Sequence, residues 1–320
     1  MWFVLSLVAL LCWSGSDLFS KIGSKPDDKY SQWKMVIAVG FVMGLHAAFE
    51  IFVSGTPISW SVIWTYLPVS LLYIGSMALG YLGLRYIELS VSSPICNSSG
   101  ALVAVLTLLF VGGDDYSPLA LCAILLVCAG AIGLGVVDAT EDPELRAERQ
   151  KDGNYKYAKS FLALALPVAY CLLDAAGTFA DNRVLEVLTD RFLAASMAAT
   201  RKECVDLAAA SANCAYELTF LAAAVVCFIY VVLIRKDKLI PRLEGPKYLG
   251  AICETAGQFA YIYAISDTSH LAMSAPIIAS YCAASVLWSR LFLKEKLSWK
   301  HYGMIGLIVI GIALMGMLDL

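Results

Sequence analysis

The sequence predicts an all-α polytopic membrane protein with ten transmembrane helices in two inverted five-helix repeats. Three observations carry this prediction: an apolar composition, an internal duplication and a one-sided distribution of basic residues. Of 320 residues, 60% are hydrophobic and only 15% are charged, and the mean hydropathy is +0.74. That balance lies outside the range of a soluble domain. A helix crosses a hydrocarbon core of ~30 Å with about 20 residues. Ten such runs can be drawn, over 2–22, 34–54, 61–84, 93–112, 118–137, 159–180, 217–234, 248–266, 272–292 and 299–318. The net charge of −3 offers no footing for nucleic acid.

The duplication holds at a constant spacing of 182 residues, which sets Tyr81 on Tyr263, Leu89 on Leu271, Ser92 on Ser274, Pro94 on Pro276, Ser98 on Ser280 and Phe110 on Phe292. The register then slips by one residue, and Gly130 falls on Gly311 and Gly135 on Gly316. Each half is therefore one structural unit. Residues 1–138 form the first repeat, 139–158 a charged cytoplasmic linker, and 159–320 the second repeat with an extended loop at 181–216.

Of the 23 Lys and Arg residues, 19 fall on one side of this topology; Arg183, Arg191, Arg201 and Lys202 fall on the other. By the positive-inside rule the basic side is cytoplasmic. Both termini and the 181–216 loop are then extracytoplasmic, in the plasma membrane. An odd number of helices per unit makes the second copy enter from the opposite side, the inverted plan of secondary transporters with a central site.

Taken in order, the first run has no basic n-region and contains Asp17, so it reads as a spanning helix and not a signal peptide. It carries Trp13 and Asp17 one turn apart, and the sixth run carries Tyr170 and Asp174 with the same spacing. A carboxylate at membrane depth is costly and marks a functional interior position; Lys21, four residues after Asp17, offers the alternative of an in-helix ion pair. Inversion places the two carboxylates ~6 Å to opposite sides of the midplane. In the second run His46 reads as a satisfied core histidine and Glu50 as a carboxylate solvated at the helix end.

The fourth run opens on SVSSP, and Asn97, Ser98 and Ser99 need hydrogen-bond partners. The fifth and tenth runs have small residues along one face and read as packing struts. In the eighth, Glu254, Gln258 and Tyr261 share one face. Glu254 is central, and its counterpart in the first repeat is Leu72, which makes it the leading candidate for binding a solute charge or a proton. The ninth run adds Tyr281 beside Ser280.

Eight of the ten cysteines sit in or beside apolar runs, where they act as small hydrophobes. Cys204 and Cys214 fall in the long polar loop. A disulfide between them stays open: an oxidising compartment allows it, whereas a continuous helix would hold them ~15 Å apart and forbid it. No CxxC or Cys/His spacing calls for a metal, and no cofactor is expected.

The stretches LRYIELSVSSPICNSSGALVAVLTLLF and HLAMSAPIIASYCAASVLWSRLFLKEKLSWKHYGMIGLIVIGIALMG resemble the repeat ends of EamA-like members of the drug/metabolite transporter superfamily. The Ala-Pro start of the ninth run, the LFLKEKLSW turn and the glycine-spaced last run are the specific parts. Where that family has a second proline, this chain has Ser99-Gly100 and Tyr281-Cys282. The resemblance implies ten helices in inverted halves and alternating access, by proton-driven exchange or facilitated export.

The function expected is secondary transport of a small organic solute, as a monomer or homodimer in the lipid bilayer, with protons as a candidate coupling ion. Trp13, Asp17, Asn97, Tyr170, Asp174, Glu254, Gln258, Tyr261 and Tyr281 are the expected substrate-binding residues, with Glu254 and Asp174 as proton carriers. Acidic groups beside aromatic rings favour a cation or amine. The alternative is a proton-coupled exporter of neutral or zwitterionic metabolites. Channel, scramblase and receptor functions stand behind these. No HExxH motif and no intramembrane Ser/His pair is present, so no catalytic residue is expected.

Overall fold

The computed structural model describes all residues except 25–27, 87–88, 111–116, 141, 143, 145–160, 196–199, 295 and 319–320. Most of the 139–158 linker lies outside the described residues. Among those described, every regular element is helical: α1 (Trp2–Gly23), α2 (Ser31–Phe49), α3 (Trp60–Tyr86), α4 (Leu89–Asn97), α5 (Ser99–Phe110), α6 (Pro118–Ala139), α7 (Phe161–Ala194), α8 (Arg201–Phe228), α9 (Pro241–Ile265), α10 (Leu271–Ala279), α11 (Tyr281–Phe292) and α12 (Trp299–Leu318).

Among the described residues seven stretches are long and apolar enough to cross a membrane: Trp2–Gly23, Ser31–Ser54, Trp60–Tyr86, Ser92–Phe110, Pro118–Val137, Arg201–Ile234 and Leu271–Phe292. The chain is a polytopic membrane protein. The helices α7 and α9 are long, but they carry Asp174, Asp181 and Arg183, and Glu244, Lys247 and Glu254, which dilute their hydropathy. The apolar stretch of α12, Trp299–Met315, is shorter. Trp60, Trp64 and Trp299 stand exposed at helix starts, where aromatic rings sit at a membrane interface.

Local chemistry sets the boundaries. Ser117 accepts from Ala120 N at 3.2 Å, with Pro118 opening α6. The helix α2 continues as a π-turn through Ser54 and stops at Gly55, whose φ of 74° suits glycine. Ser98 separates α4 from α5 and Ser280 separates α10 from α11, the two serines that the 182-residue spacing pairs. In both, the amide of the serine bonds the carbonyl of the proline four residues earlier, Pro94 at 3.1 Å and Pro276 at 2.9 Å.

Packing is preserved when the halves are exchanged. The helix α1 packs on α9 and α7 on α3; α2 packs on α9 and α8 on α3; α1 packs on α10 and α11, and α7 on α4 and α5. The helices α2 and α8 pack on each other, as do α6 and α12. At the last crossing Gly130 and Gly311, a repeat pair, lie against each other's helix: a Cβ on Gly130 would fall 2.9 Å from Met304 O, and one on Gly311 2.9 Å from Ala123 O. Only glycine allows that approach, so the small faces of these two helices are the contact between them.

Where the sequence reading has a loop over 181–216, the structure has helix through Ala194 and again from Arg201. The polar run Asp181-Asn182-Arg183 ends the hydropathy window but not the helix. Beyond it Leu185, Leu188 and Phe192 recur on one buried face. The start of α8 is a capping box, Thr200 Oγ1 accepting from Glu203 N at 3.2 Å and Glu203 from Thr200 N at 3.1 Å. At ~1.5 Å per residue, the 34 residues of α7 reach about 51 Å, well past a hydrocarbon core of ~30 Å.

Cys204 and Cys214 both lie on α8, and both are free thiols. Ten helical residues separate them by ~15 Å, beyond bridging. Alkylation of the denatured, unreduced protein should label all 10 cysteines; a mass short by two labels would contradict this geometry.

Candidate functional site

One cavity, of ≈ 80 Å³, lies where α1, α3, α4, α5, α7, α8, α9, α10 and α11 converge. All nine residues expected from the sequence to bind substrate, Trp13, Asp17, Asn97, Tyr170, Asp174, Glu254, Gln258, Tyr261 and Tyr281, line it. Asp17, Asp174 and Glu254 are partly exposed, so a carboxylate from each of three helices meets the cavity solvent. Among the described residues no lysine or arginine lines it.

The two repeat-related aspartates are held differently. Asp17 Oδ2 accepts from Ser93 Oγ at 2.6 Å and from Ser285 Oγ at 2.8 Å, one serine from each half. Asp174 Oδ2 accepts from Ser99 Oγ at 2.7 Å, the partner that this serine needs at membrane depth. Oδ1 of each is left without a hydrogen bond among the described residues. The Lys21 ammonium donates to Leu84 O at 2.9 Å. Asn97 Nδ2 donates to Ser93 O at 2.8 Å and to Ser93 Oγ at 3.1 Å, which fixes the serine that holds Asp17.

Glycines seat the aromatic walls. A Cβ on Gly257 would overlap Trp13 Cδ1 at 2.4 Å, and one on Gly80 would lie 2.9 Å from Tyr170 Cδ2. Each aromatic residue of the aromatic-x3-Asp pair thus rests on a glycine of the other half. Trp13 then meets Tyr261 at a ring-centroid distance of 5.1 Å and Tyr281 at 5.8 Å, edge-on. Its Nε1 donates to Glu254 O at 3.3 Å. The carboxylate of Glu254 is faced by Ser16 and Trp13.

The wall extends beyond the nine residues expected to bind substrate, to a Tyr73 that the sequence leaves open between packing and lining and to residues it does not single out as lining. Tyr73, Tyr81, Thr178 and Tyr216 also line the cavity. Behind them sits Asp181, fully buried, bonded by Tyr66 and Tyr73. Asp181 is seven residues beyond Asp174, two helical turns along one face, and that spacing was the available signal. His46 is satisfied, as expected, but half-buried and not core, and its partner is the buried Glu217, with Nδ1 at 2.8 Å from Oε1. Among the described residues no cluster of three His, Cys, Asp or Glu side chains could hold a metal.

One solved crystal structure shares this fold, with a TM-score of 0.60 and 16% identity over 98% of this chain and 96% of the other. No curated protein matches the chain. Residues 192–317 match the EamA-like transporter family. The match lies within the second half. That match is the family of the LFLKEKLSW resemblance, and together with the spanning helices it supports a membrane transporter in general. The EamA-like segment contains Glu254, Gln258, Tyr261 and Tyr281. Trp13, Asp17, Asn97, Tyr170 and Asp174 come to the cavity from outside it.

Proposed function

We propose that the chain is a secondary transporter for a small organic cation or amine, working by alternating access across ten spans in two inverted halves. The observation that carries this reading is the cavity itself: three partly exposed carboxylates among aromatic rings, with no lysine or arginine among its described lining residues. Such a lining attracts positive charge and repels anions. The exchange symmetry of the helix contacts and the equivalent breaks at Ser98 and Ser280 support two inverted halves.

The one-sided basic residues support extracytoplasmic termini in a plasma membrane. Lys21, Lys34 and Lys247 are buried and engaged with protein groups, so they hold the fold together and add little to the surface charge. The other basic residues still favour the same side. The cavity runs along α1 to Ser20 and along α3 to Leu84, toward that basic side.

A second reading keeps the transporter and changes the solute. Gln258 Nε2 and Tyr81 Oη are buried without a hydrogen-bond partner among the described residues. Both belong to residues of the cavity wall and can donate to an acceptor, which a simple ammonium cation lacks. A zwitterion would supply one, with Asp174 and Glu254 then carrying protons.

Thermal unfolding of the purified protein across amines, amino acids and nucleosides separates these readings. A bound ligand stabilises the native state by mass action, by about 2.7 kcal/mol at a hundredfold excess over Kd. An amine should raise Tm in the parent chain and leave Glu254→Gln unchanged. Stabilisation by neutral or zwitterionic solutes alone, equal in both proteins, would remove the cation reading.

A further inference from the structure

Asp181 is sealed, with 0% exposure. Tyr66 Oη donates to its Oδ1 at 2.7 Å, and Tyr73 Oη donates to Oδ2 at 3.3 Å. Both tyrosines are on α3, in the first half, and Asp181 is on α7, in the second. Tyr73 also reaches Thr178 Oγ1 at 3.2 Å and contacts Tyr261 Oη on α9. The hydrogen bonds to this carboxylate therefore cross from one half to the other. They lie on the side of the cavity opposite Ser20 and Leu84, and they close it there: Tyr73, Thr178 and Tyr261 line the cavity, whereas Tyr66 and Asp181 lie behind them.

Among the described residues no lysine, arginine or histidine pairs with Asp181. The titratable groups around it are the phenols of Tyr66 and Tyr73 on α3, Tyr216 on α8, Tyr261 on α9, and Asp174 on its own helix. The segments α4 and α5 bring no carboxylate, phenol or cation. An ionised Asp181 accepts both tyrosine hydroxyls, and charge-assisted bonds of this kind are strong. A proton from water, bound at Oδ2, would turn that oxygen from an acceptor into a donor and end the charge-assisted bond from Tyr73, whose hydroxyl can turn to Thr178 or Tyr261.

We propose that Asp181 is a proton site, separate from the solute cavity, that couples transport by latching α3 to α7. Ionised, it holds the cavity shut on its own side; protonated, it releases Tyr73 and lets that side open. The inference rests on the transporter reading for its role in coupling. Its reach into the cavity runs through Tyr261, which touches Tyr73 and meets Trp13 with the rings tilted at a centroid distance of 5.1 Å.

Hydrogen exchange of the detergent-purified protein tests the latch without a known solute. After correction for intrinsic rates, residues 60–73 of α3 should exchange roughly tenfold faster at about pH 5 than at about pH 8, the loss of one charge-assisted bond. Asp181→Asn mimics the protonated carboxyl and should exchange fast at both pH values. Glu254→Gln and Glu217→Gln should keep the step. A step that survives in Asp181→Asn overturns the proposal. If that variant does not fold, Tyr66→Phe/Tyr73→Phe should be fast at both pH values, and a surviving step there overturns it equally. Counterflow of labelled choline in proteoliposomes of the parent chain tests the transport reading by itself. No counterflow with an intact Asp181-dependent step would remove choline as a solute and leave the latch.

Discussion

Asp17→Asn should fold as well as the parent chain and bind an organic cation about 10–100-fold more weakly, the range for a hydrogen bond to a charged group. The reason is that Asp17 does two things with separate atoms. Its Oδ2 joins the halves by accepting from Ser93 at 2.6 Å and Ser285 at 2.8 Å. Its Oδ1 has no partner among the described residues, and under the proposed function it is the oxygen left for a ligand. An asparagine oxygen can still accept from both serines, so the junction survives while the charge is lost. Asp17→Ala removes the acceptor too and should lower Tm as well, by about 1 kcal/mol per serine hydroxyl left unpaired. The measurement is Tm of each variant with and without a saturating amine. Equal amine shifts in Asp17→Asn and the parent chain would mean that the cation sits away from this carboxylate.

The different legibility of Asp17 and Asp181 shows where a sequence stops speaking. Asp17 stands inside an apolar run, so its cost is visible in one dimension, and its repeat mate Asp174 doubles the signal. The repeat also pointed to the small faces of α6 and α12, because duplicated segments meet the same packing demand, but it paired Ser98 with Ser280 without announcing that the helix breaks at each. Asp181 begins a polar run, and hydropathy reads such a run as the end of a span. The donors that make it tolerable, Tyr66 and Tyr73, lie over a hundred residues away. His46 was legible as satisfied, but Glu217 was not legible as its partner, since it stands at the first position of the run drawn for its helix. The lysines carry the same lesson: Lys34 and Lys247 were counted as signposts of a cytoplasmic surface, and the fold uses them inside.

That interior use predicts the largest loss of stability. Lys247 Nζ lies 2.7 Å from Glu244 Oε2 and 3.6 Å from Asp28 Oδ2; Lys34 Nζ lies 3.1 Å from Asp28, 3.1 Å from Asp237 and 3.7 Å from Glu244. Both lysines and Glu244 are buried. Three carboxylates share two ammoniums, so removing one leaves sealed charge without compensation. Lys247→Met should cost about 3–5 kcal/mol, the range for a broken buried pair, and lower Tm accordingly. Methionine can occupy the path of the lysine stem against Gly23, so lost packing contributes little. Lys247→Met/Glu244→Gln should regain most of the loss, because it removes the orphaned charge with its partner. A double variant no more stable than the single one would show that the stem and not the charge holds this site. The network ties the chain before α2 to the start of α9 on the side toward which the cavity runs. With α2 and α9 fastened there, the proposed transport would leave passage on that side to the gap among α1, α3 and α4, where Ser20, Leu84 and Ser92 line the cavity. A chain that loses the network should therefore lose the fixed frame against which that gap opens, and its Tm should fall before its affinity for a cation does.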